Sequence, residues 1–226
     1  MSLCGNVRDI VNEHLHEILR RRGSRVEKDD GSFVTDADYL VQELVVNHVK
    51  ESRRAFVVVA EELEIPDTRF DARANFVVID PLDGTENFTS GLKEWGVGVS
   101  VYEQGQHQES MIMLPELGES LITGESIERH QSRIYGLSSS LSKSDLERLE
   151  SAAEYRIMGC SMYNMFNVIR GAYATFENFK GANCWDVLPG LNLALEHGCE
   201  VEVNGGVYHG EFLPPTAKYR IKVRHK

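Results

Sequence analysis

The pattern of apolar and polar positions over the first fifty residues predicts two amphipathic helices. Apolar residues recur every three to four positions at 7–19 and again at 40–49, which is the spacing of one helix face. Three arginines at 20–22 favour the negative end of the first helix, and Gly23 is a plausible stop. Thr35 or Asp36 can cap the second helix. The polar residues between them, 27–31, predict a loop.

Short apolar runs rich in β-branched residues predict buried strands at 55–60 and 76–79. Because Pro81 has no N–H for a ladder hydrogen bond, we expect the second strand to end there. Two alternating runs flank Gln-Gly at 104–105 and predict a hairpin, followed by a further antiparallel strand. These three strands span 95–101, 109–114 and 119–123.

The second half of the chain alternates strand and helix patterns, without internal repeats or low-complexity tracts. Gly171 and Gly198 are helix stops, and Asn204-Gly205 predicts a turn. The predicted helices span 142–154, 161–170 and 186–197. The predicted strands span 155–158, 173–177, 199–203 and 219–223.

Composition places the chain among ordinary globular proteins, with 226 residues, 42% hydrophobic and 26% charged. The net charge of −11 argues against nucleic acid or an anionic membrane as a partner, although an anionic substrate is compatible if cations bridge the two. The four cysteines show no Cys-x-x-Cys spacing, which fits a reducing compartment. No apolar run reaches the length of a membrane span and no signal segment is evident, so we expect a cytoplasmic protein.

The candidate chemistry is concentrated at 80–88, Asp-Pro-Leu-Asp-Gly-Thr-Glu-Asn-Phe, directly after a predicted buried strand. Asp80 and Asp83 offer two carboxylates across a short turn. Gly84 permits a close backbone approach, and Thr85 adds a hydroxyl. This combination suits a divalent metal that holds a phosphate. The alternative is a strand-ending turn with solvated acids.

Three more acids follow or open predicted elements, and each also has an ordinary structural explanation. Asp38 lies in the first turn of a helix, where an acid is favoured by the helix dipole. Glu61, after a strand, could be solvated. Asp186 could be a helix N-cap.

The stretch at 80–88 resembles the signature of the inositol monophosphatase family of magnesium-dependent, lithium-sensitive phosphatases, which runs Asp-Pro-(Ile/Leu)-Asp-Gly-Thr-x-Asn-Phe. Three further segments match in the family's order: Val-Thr-Asp-Ala-Asp at 34–38, Glu61-Glu62 and Trp185-Asp186. The resemblance covers nearly the whole chain. It implies a five-layer α/β/α/β/α sandwich in a single domain, 1–226. The metal-motif half would span about 1–130 and the second α/β half about 131–226.

The resemblance also implies a site that binds two Mg²⁺ ions, with a third ion left open. The implied metal ligands are Glu61, Asp80, the carbonyl oxygen of Leu82, Asp83 and Asp186. Two metals can bind the attacking water and the leaving oxygen of a phosphate ester. Like charges about 4 Å apart repel by roughly 4 kcal/mol at an effective dielectric of 20, so such an acidic cleft needs cations.

The resemblance assigns the catalytic roles to three residues. Thr85, with Asp38 or Glu61, would position and activate the attacking water. The implied substrate-binding residues are Gly84, Thr85, Asp83, Asp186 and Glu177, with the N–H groups of Gly84 and Thr85 gripping the phosphate. Glu177 matches the family acid that hydrogen-bonds the hydroxyls of the substrate, but its distance to Asp186 along the chain is longer than usual.

The chain departs from the family pattern in two places. The segment after Gly124 is short, near where the family forms its subunit interface, and Val187-Leu188-Pro189-Gly190 replaces a run of small residues. The expected partner is a small phosphorylated substrate, with inositol monophosphate or a related sugar phosphate first. A 3′(2′),5′-bisphosphate nucleotidase and a non-catalytic binding protein that keeps the fold are the alternatives. A homodimer is left open.

Overall fold

Two β-sheets and the helices packed on them form the fold in this computed structural model, which describes residues 2–29, 31–52, 54–64, 73–149 and 154–226. The helices are α1 (Leu3–Arg20), α2 (Asp36–Glu51), α3 (Thr85–Thr89), α4 (Lys143–Glu147), α5 (Ser161–Ile169) and α6 (Cys184–Glu196). The strands before residue 130 are β1 (Arg25–Glu27), β2 (Phe33–Thr35), β3 (Val57–Ala60), β4 (Phe76–Asp83), β5 (Gly96–Glu103), β6 (Gln106–Leu114) and β7 (Glu119–Ile122). The later strands are β8 (Ile134–Leu137), β9 (Glu154–Ile157), β10 (Thr175–Ala182), β11 (Glu200–Val203), β12 (Gly206–Val207) and β13 (Tyr219–Arg224).

The first sheet has the strand order β3-β4-β5-β6-β7, and the second has the order β12-β11-β13-β10-β8-β9. The first sheet is antiparallel except for the parallel pair β3 and β4. The hairpin and the additional strand expected at 95–123 are confirmed. So are the strands expected near 55–60, 199–203 and 219–223.

Strand β4 is the second strand of the first sheet, between β3 and β5, and all eight of its residues are buried. Successive side chains point to opposite faces of a strand. Phe76 and Val78 therefore belong to the core between the two sheets, where α5 and α6 lie, whereas Val77 and Ile79 pack against α1 and α2. Burial on both faces explains why this strand reads as an unbroken apolar run.

Pro81 does not end this strand, so that expectation is wrong. Asp80 pairs with Gly98 and Asp83 pairs with Gly96, and the register is irregular between the two pairs. Pro81 lies within this irregularity, where the chain can dispense with a ladder N–H. The strand consequently carries both acids to the same end of the sheet.

The outer face of the second sheet carries ion pairs between neighbouring strands. Lys222 Nζ lies 3.1 Å from Glu177 Oε2, and Arg224 pairs with Glu202 at 3.2 Å. The short helix α4 lies at this face. The guanidinium of Arg148, the residue just after the helix, stacks 4.8 Å from the ring centre of Phe179 in β10. The five-layer α/β/α/β/α sandwich is thus confirmed, with its last layer reduced to one short helix.

The predicted helix at 142–154 is wrong beyond its first part. Helix α4 ends at Glu147, residues 150–153 lie outside the described part of the chain, and Glu154 already opens β9. None of the α4 residues is buried, so no packed face supports a longer helix. The loop predicted at 27–31 also needs correction, since Glu27 pairs with Phe33 in a short hairpin of β1 and β2.

No helix within the described residues combines the length and apolar character that a membrane crossing requires.

Candidate active site

Three carboxylates converge where the first sheet meets the helices between the sheets. Each of Glu61, Asp80 and Asp186 contributes one oxygen to a group whose members all lie within 4.8 Å of one another. The parallel pairing of β3 with β4 sets Ala60 opposite Ile79, so the residues that follow them, Glu61 and Asp80, lie side by side. Asp186 arrives from the first turn of α6, which packs between the sheets.

Burial makes this cluster electrostatically unfavourable without a cation. Burial raises the pKa of Asp80 above its usual range, and the charges of Glu61, Asp83 and Asp186 raise it further. Burial likewise raises the pKa values of Glu61 and Asp186, and the repulsion from Asp186 adds to the effect at Glu61. Asp80 Oδ2 is buried and has no hydrogen-bond partner among the described residues. Hard carboxylate oxygens at this spacing fit a divalent cation such as Mg²⁺.

A backbone N–H holds one oxygen of each aspartate in the cluster. Asp80 Oδ1 accepts from Leu82 N at 3.0 Å, and Asp186 Oδ2 accepts from Asn183 N at 2.6 Å. The second bond is the one expected of an acid at the third helical position of a capping box. The N-cap of α6 is Asn183, so the alternative explanation of Asp186 as the N-cap is wrong. Because each bond fixes one oxygen, it orients the carboxylate and leaves its other oxygen for the cluster.

Asp38 and Thr85 lie together beside the cluster. Asp38 is fully buried, and its Oδ2 accepts from the N–H and the hydroxyl of Thr35, at 2.8 and 2.6 Å. The Thr85 hydroxyl lies 3.3 Å from Asp38 Oδ1 and 3.2 Å from the carbonyl oxygen of Leu82. Burial raises the pKa of Asp38 to about 6, although the hydrogen bonds from Thr35 oppose this shift. Thr85 is thereby placed between a carboxylate and a carbonyl, both of which can accept a hydrogen bond from its hydroxyl.

Asp83 faces the same cavity as Asp186 but is not a member of the group of three. Its Oδ2 accepts from Met162 N at 2.6 Å and from the Cys160 thiol at 3.2 Å. Burial raises the pKa of Asp83, and the charge of Asp186 raises it further. The site therefore joins the two halves of the chain through this carboxylate.

Gly84 follows with a φ of 89°, in the left-handed region. A Cβ at this position would lie 3.0 Å from the Cβ of Cys160 and 3.1 Å from the carbonyl oxygen of Gly159. Both the backbone conformation and the crowding thus require glycine. This close contact brings the loop before α5 against the start of α3.

Lys28, at the turn of the β1–β2 hairpin, belongs to no motif in the sequence, yet it lies beside the cluster. Its ammonium group forms an ion pair with Glu62 and lies 3.5 Å from Glu61 Oε1. Burial alone would lower the pKa of Lys28, but the two glutamates raise it above its ordinary value. Lys28 supplies an internal positive charge to Glu61, and the polar composition of its loop gave no signal of this role.

A cavity of about 180 Å³ extends from the aspartates toward the second sheet. Most of its polar lining has no signal in the sequence, because these residues come from separate loops and from β10. The hydroxyl of Ser138, a residue 9% exposed, has no hydrogen-bond partner among the described residues. Lys218 is exposed, and its charge lowers the pKa of Asp186. Besides the aspartates, the lining includes Ser138, Ser139, Ser140, Asn178, Asn183 and Lys218.

The structure does not bring Glu177 to this cavity. Glu177 lies on the outer face of β10, where it pairs with Lys222. Its neighbour Asn178 lines the cavity instead, as the alternation of side chains along a strand requires. The expected role of Glu177 in binding substrate hydroxyls therefore has no support in this geometry.

A model of the inositol monophosphatase family matches residues 1–220. The chain belongs to the inositol monophosphatase family. Family membership supports a phosphatase activity, and together with the acidic cluster it supports a dependence on a divalent metal.

Two curated relatives illustrate how different members of this family can be. The chain is 27% identical over 204 residues to the fructose-1,6-bisphosphatase/inositol-1-monophosphatase of Thermotoga maritima, covering 82% of this chain and 77% of that protein. It is 23% identical over 197 residues to the Nus factor SuhB of Pseudomonas aeruginosa, covering 76% and 72%.

A solved IMPase/NADP phosphatase, complexed with Mg²⁺ and phosphate, shares the fold with a TM-score of 0.80. The superposition covers 99% of this chain and 88% of that protein, at 16% identity. The similarity extends over both sheets, so the shortened segment after residue 124 does not alter the architecture.

Proposed function

We propose that this protein is a magnesium-dependent phosphatase that hydrolyses the phosphate monoester of a small polyol or sugar, such as inositol monophosphate. The observation that carries this proposal is the convergence of Glu61, Asp80 and Asp186 within 4.8 Å, with a buried Asp80 oxygen that has no partner among the described residues. Such a group is unfavourable unless it binds cations. Membership in a phosphatase family supports a role for these cations in the hydrolysis of a phosphate ester.

The residues proposed to hold the metal are these three acids, Asp83 and the carbonyl of Leu82. The Leu82 carbonyl receives one hydrogen bond from Thr85 and keeps a second lone pair for a cation. When bound, Mg²⁺ ions would lower the pKa of water and stabilise the negative charge of the leaving oxygen.

The proposed role of Thr85 is to orient the attacking water. Its O–H donates to Asp38 or to the Leu82 carbonyl, so the lone pairs of its oxygen are left to accept a hydrogen bond from the water. Asp38 is a suitable final acceptor, because a pKa of about 6 is close to neutrality. Glu61 is the alternative base, since its carboxylate belongs to the cluster and has a raised pKa.

The proposed phosphate position lies against the backbone of Gly84 and Thr85. These residues open α3, and the first N–H groups of a helix have no partner within the helix. The remainder of the substrate would extend past Asp83 and Asp186 into the cavity. Its volume of about 180 Å³ is below the ~300–1,000 Å³ that encloses a drug-sized ligand, which favours a sugar or polyol over a nucleotide.

The proposal is tested by measuring phosphate release from inositol, sugar and nucleotide monophosphates and bisphosphates, in excess chelator and after addition of Mg²⁺. We expect no turnover in chelator and restored turnover with Mg²⁺, with inhibition by Li⁺ as in the family that the chain resembles. Full turnover in excess chelator would refute the metal mechanism. Absence of release from every compound in Mg²⁺ would favour the non-catalytic alternative.

A further inference from the structure

The loop between β9 and α5, residues 158–160, contacts the site on the side of Asp83. The Cys160 thiol donates to Asp83 Oδ2 at 3.2 Å, and the N–H of Met162, in the first turn of α5, donates to the same oxygen at 2.6 Å. Residues 158–161 also line the cavity that Asp83 shares with Asp186. The orientation of the Asp83 carboxylate therefore depends on where this loop and the start of α5 lie.

Asn164, one turn into α5, holds the loop in place. Its Nδ2 donates to the carbonyl oxygen of Met158 at 2.9 Å and to that of Cys160 at 2.6 Å, so both hydrogens of the amide are used. Because the residue is fully buried, bulk water does not compete for these two bonds. One side chain thus ties the loop to the helix that follows it.

The oxygen of the same amide indicates which of its groups the fold uses. Asn164 Oδ1 is buried and has no hydrogen-bond partner among the described residues. Leaving a buried polar atom unpaired costs stability, so an asparagine at this position is worse than an apolar residue of the same size unless its two donors are needed. Both donors bond the loop that orients Asp83.

The loop packs tightly against the start of α3. A Cβ at Gly84 would lie 3.0 Å from the Cβ of Cys160 and 3.1 Å from the carbonyl oxygen of Gly159. If the bonds from Asn164 are lost, the loop is free to move away from Gly84, and its thiol donor to Asp83 moves with it. A displacement of about 1 Å within an active site can cost roughly a hundredfold in rate.

We propose that Asn164 is a positioning residue of the metal site, which fixes the 158–160 loop and through it the carboxylate of Asp83. The inference rests on the proposed function, because it assumes that Asp83 binds Mg²⁺. Asn164 acts through Cys160 and the start of α5 and takes no direct part in the reaction.

The test compares Asn164→Leu with Asn167→Leu, a matched control on the same helix. Asn167 is also buried, and its Nδ2 donates at 2.8 Å to the carbonyl oxygen of Tyr163, within α5. Asn164→Leu should raise the Kd for Mg²⁺, measured by calorimetric titration, by about ten- to a hundredfold, the range for groups that orient metal ligands. Asn167→Leu should change it by less than about threefold, because its bond lies outside the loop. Asn164→Ser, whose hydroxyl can donate to the carbonyl four residues earlier, should give a smaller loss and replaces Asn164→Leu if that variant does not fold.

A second comparison separates positioning from a general loss of stability. In the Asp83→Asn background, Asn164→Leu should change the Kd for Mg²⁺ by less than about threefold, since the ligand through which it acts is already altered. A merely structural role predicts the same change in both backgrounds.

Alkylation of the thiols reports on the loop in the absence of metal. In chelator, iodoacetamide should modify Cys160 at least about tenfold faster in Asn164→Leu than in the parent, because local opening exposes this thiol. Cys4, which is buried in α1, should react at the same rate in both proteins. Peptide mass mapping distinguishes the two cysteines.

The proposal is overturned if Asn164→Leu leaves the Kd for Mg²⁺ within about threefold of the parent value, if Asn167→Leu raises it equally, or if the loss is the same in the Asp83→Asn background. If the parent neither binds Mg²⁺ nor releases phosphate, the proposed function fails. The alkylation rates then decide whether Asn164 fixes the loop: faster modification of Cys160 supports this role, and an unchanged rate refutes it.

Discussion

The Asp80→Asn variant separates two properties of the acidic cluster: the repulsion among its carboxylates, which destabilises the fold, and its ability to bind a metal. The substitution keeps the size of the side chain, and its carbonyl oxygen can still accept the hydrogen bond from Leu82 N. The new amide group replaces the buried oxygen that has no partner among the described residues, and it can donate to Glu61 or Asp186. One negative charge is removed from a group of three.

The size of the effect follows from the separation. Two full charges 4.8 Å apart repel by about 3.5 kcal/mol at an effective dielectric of 20. The pKa of Glu61, raised to about 8, means that the cluster is partly protonated near neutrality, which reduces this repulsion. We therefore expect Asp80→Asn to raise the free energy of unfolding of the metal-free protein by about 1–3 kcal/mol at pH 8. At this chain length each kcal/mol corresponds to about 2–4 °C in Tm.

The assay is thermal unfolding at pH 8 in chelator and then across a Mg²⁺ titration. The parent should melt earlier than Asp80→Asn in chelator and gain more from Mg²⁺, while the variant should lose phosphatase activity. Asp9→Asn, the same change at an exposed position on α1, controls for a general effect of charge in this acidic chain. The reasoning is refuted if Asp80→Asn melts no later than the parent in chelator, or if its Tm rises with Mg²⁺ as steeply as that of the parent.

Three further predictions follow from the site. Thr85→Val should lower kcat by about a hundredfold, because a displaced water reacts slowly, and should cost no more than about 1.5 kcal/mol in stability; a variant that melts earlier but turns over normally would leave Thr85 a structural role only. Asp83→Asn should remain folded and be nearly inactive at saturating Mg²⁺, with a small loss in Tm because the hydrogen bond from Met162 N weakens; parental turnover would exclude Asp83 as a ligand. The stability of the metal-free protein should fall as pH rises from about 4 through 6, because the folded pKa of Asp38 is about 6 against an ordinary 3.8, and urea titrations at a series of pH values in chelator would contradict this if stability rose over that range.

The amino-acid sequence determined the elements that local patterns encode. Continuous apolar runs marked the buried strands, and helical spacing with capping residues marked α1, α2, α5 and α6. It did not determine the end of β4, because a proline ends a strand only where its N–H is needed, and the irregular pairing with β5 removes that need at Pro81. Nor did it reveal that the segment after Glu147 leaves the helix, since this depends on the absence of a surface to pack against.

Some residues of the candidate site were likewise determined by the sequence, and others only by the tertiary structure. The sequence by itself selected Glu61, Asp80 and Asp186 through their motifs, and the fold brings these three together. Only the tertiary structure decided that the Lys28 ammonium lies next to Glu61. It also decided that Lys218 faces the cavity, whereas Glu177 does not. The physical reason is that a motif describes side chains on one local segment of the chain. Whether a residue from a distant loop lies at the same site depends on how the strands pair, which the local pattern does not encode. Alternation along β10 turns Glu177 to the outer face and Asn178 to the cavity, and this depends on the register of β10 against its neighbours.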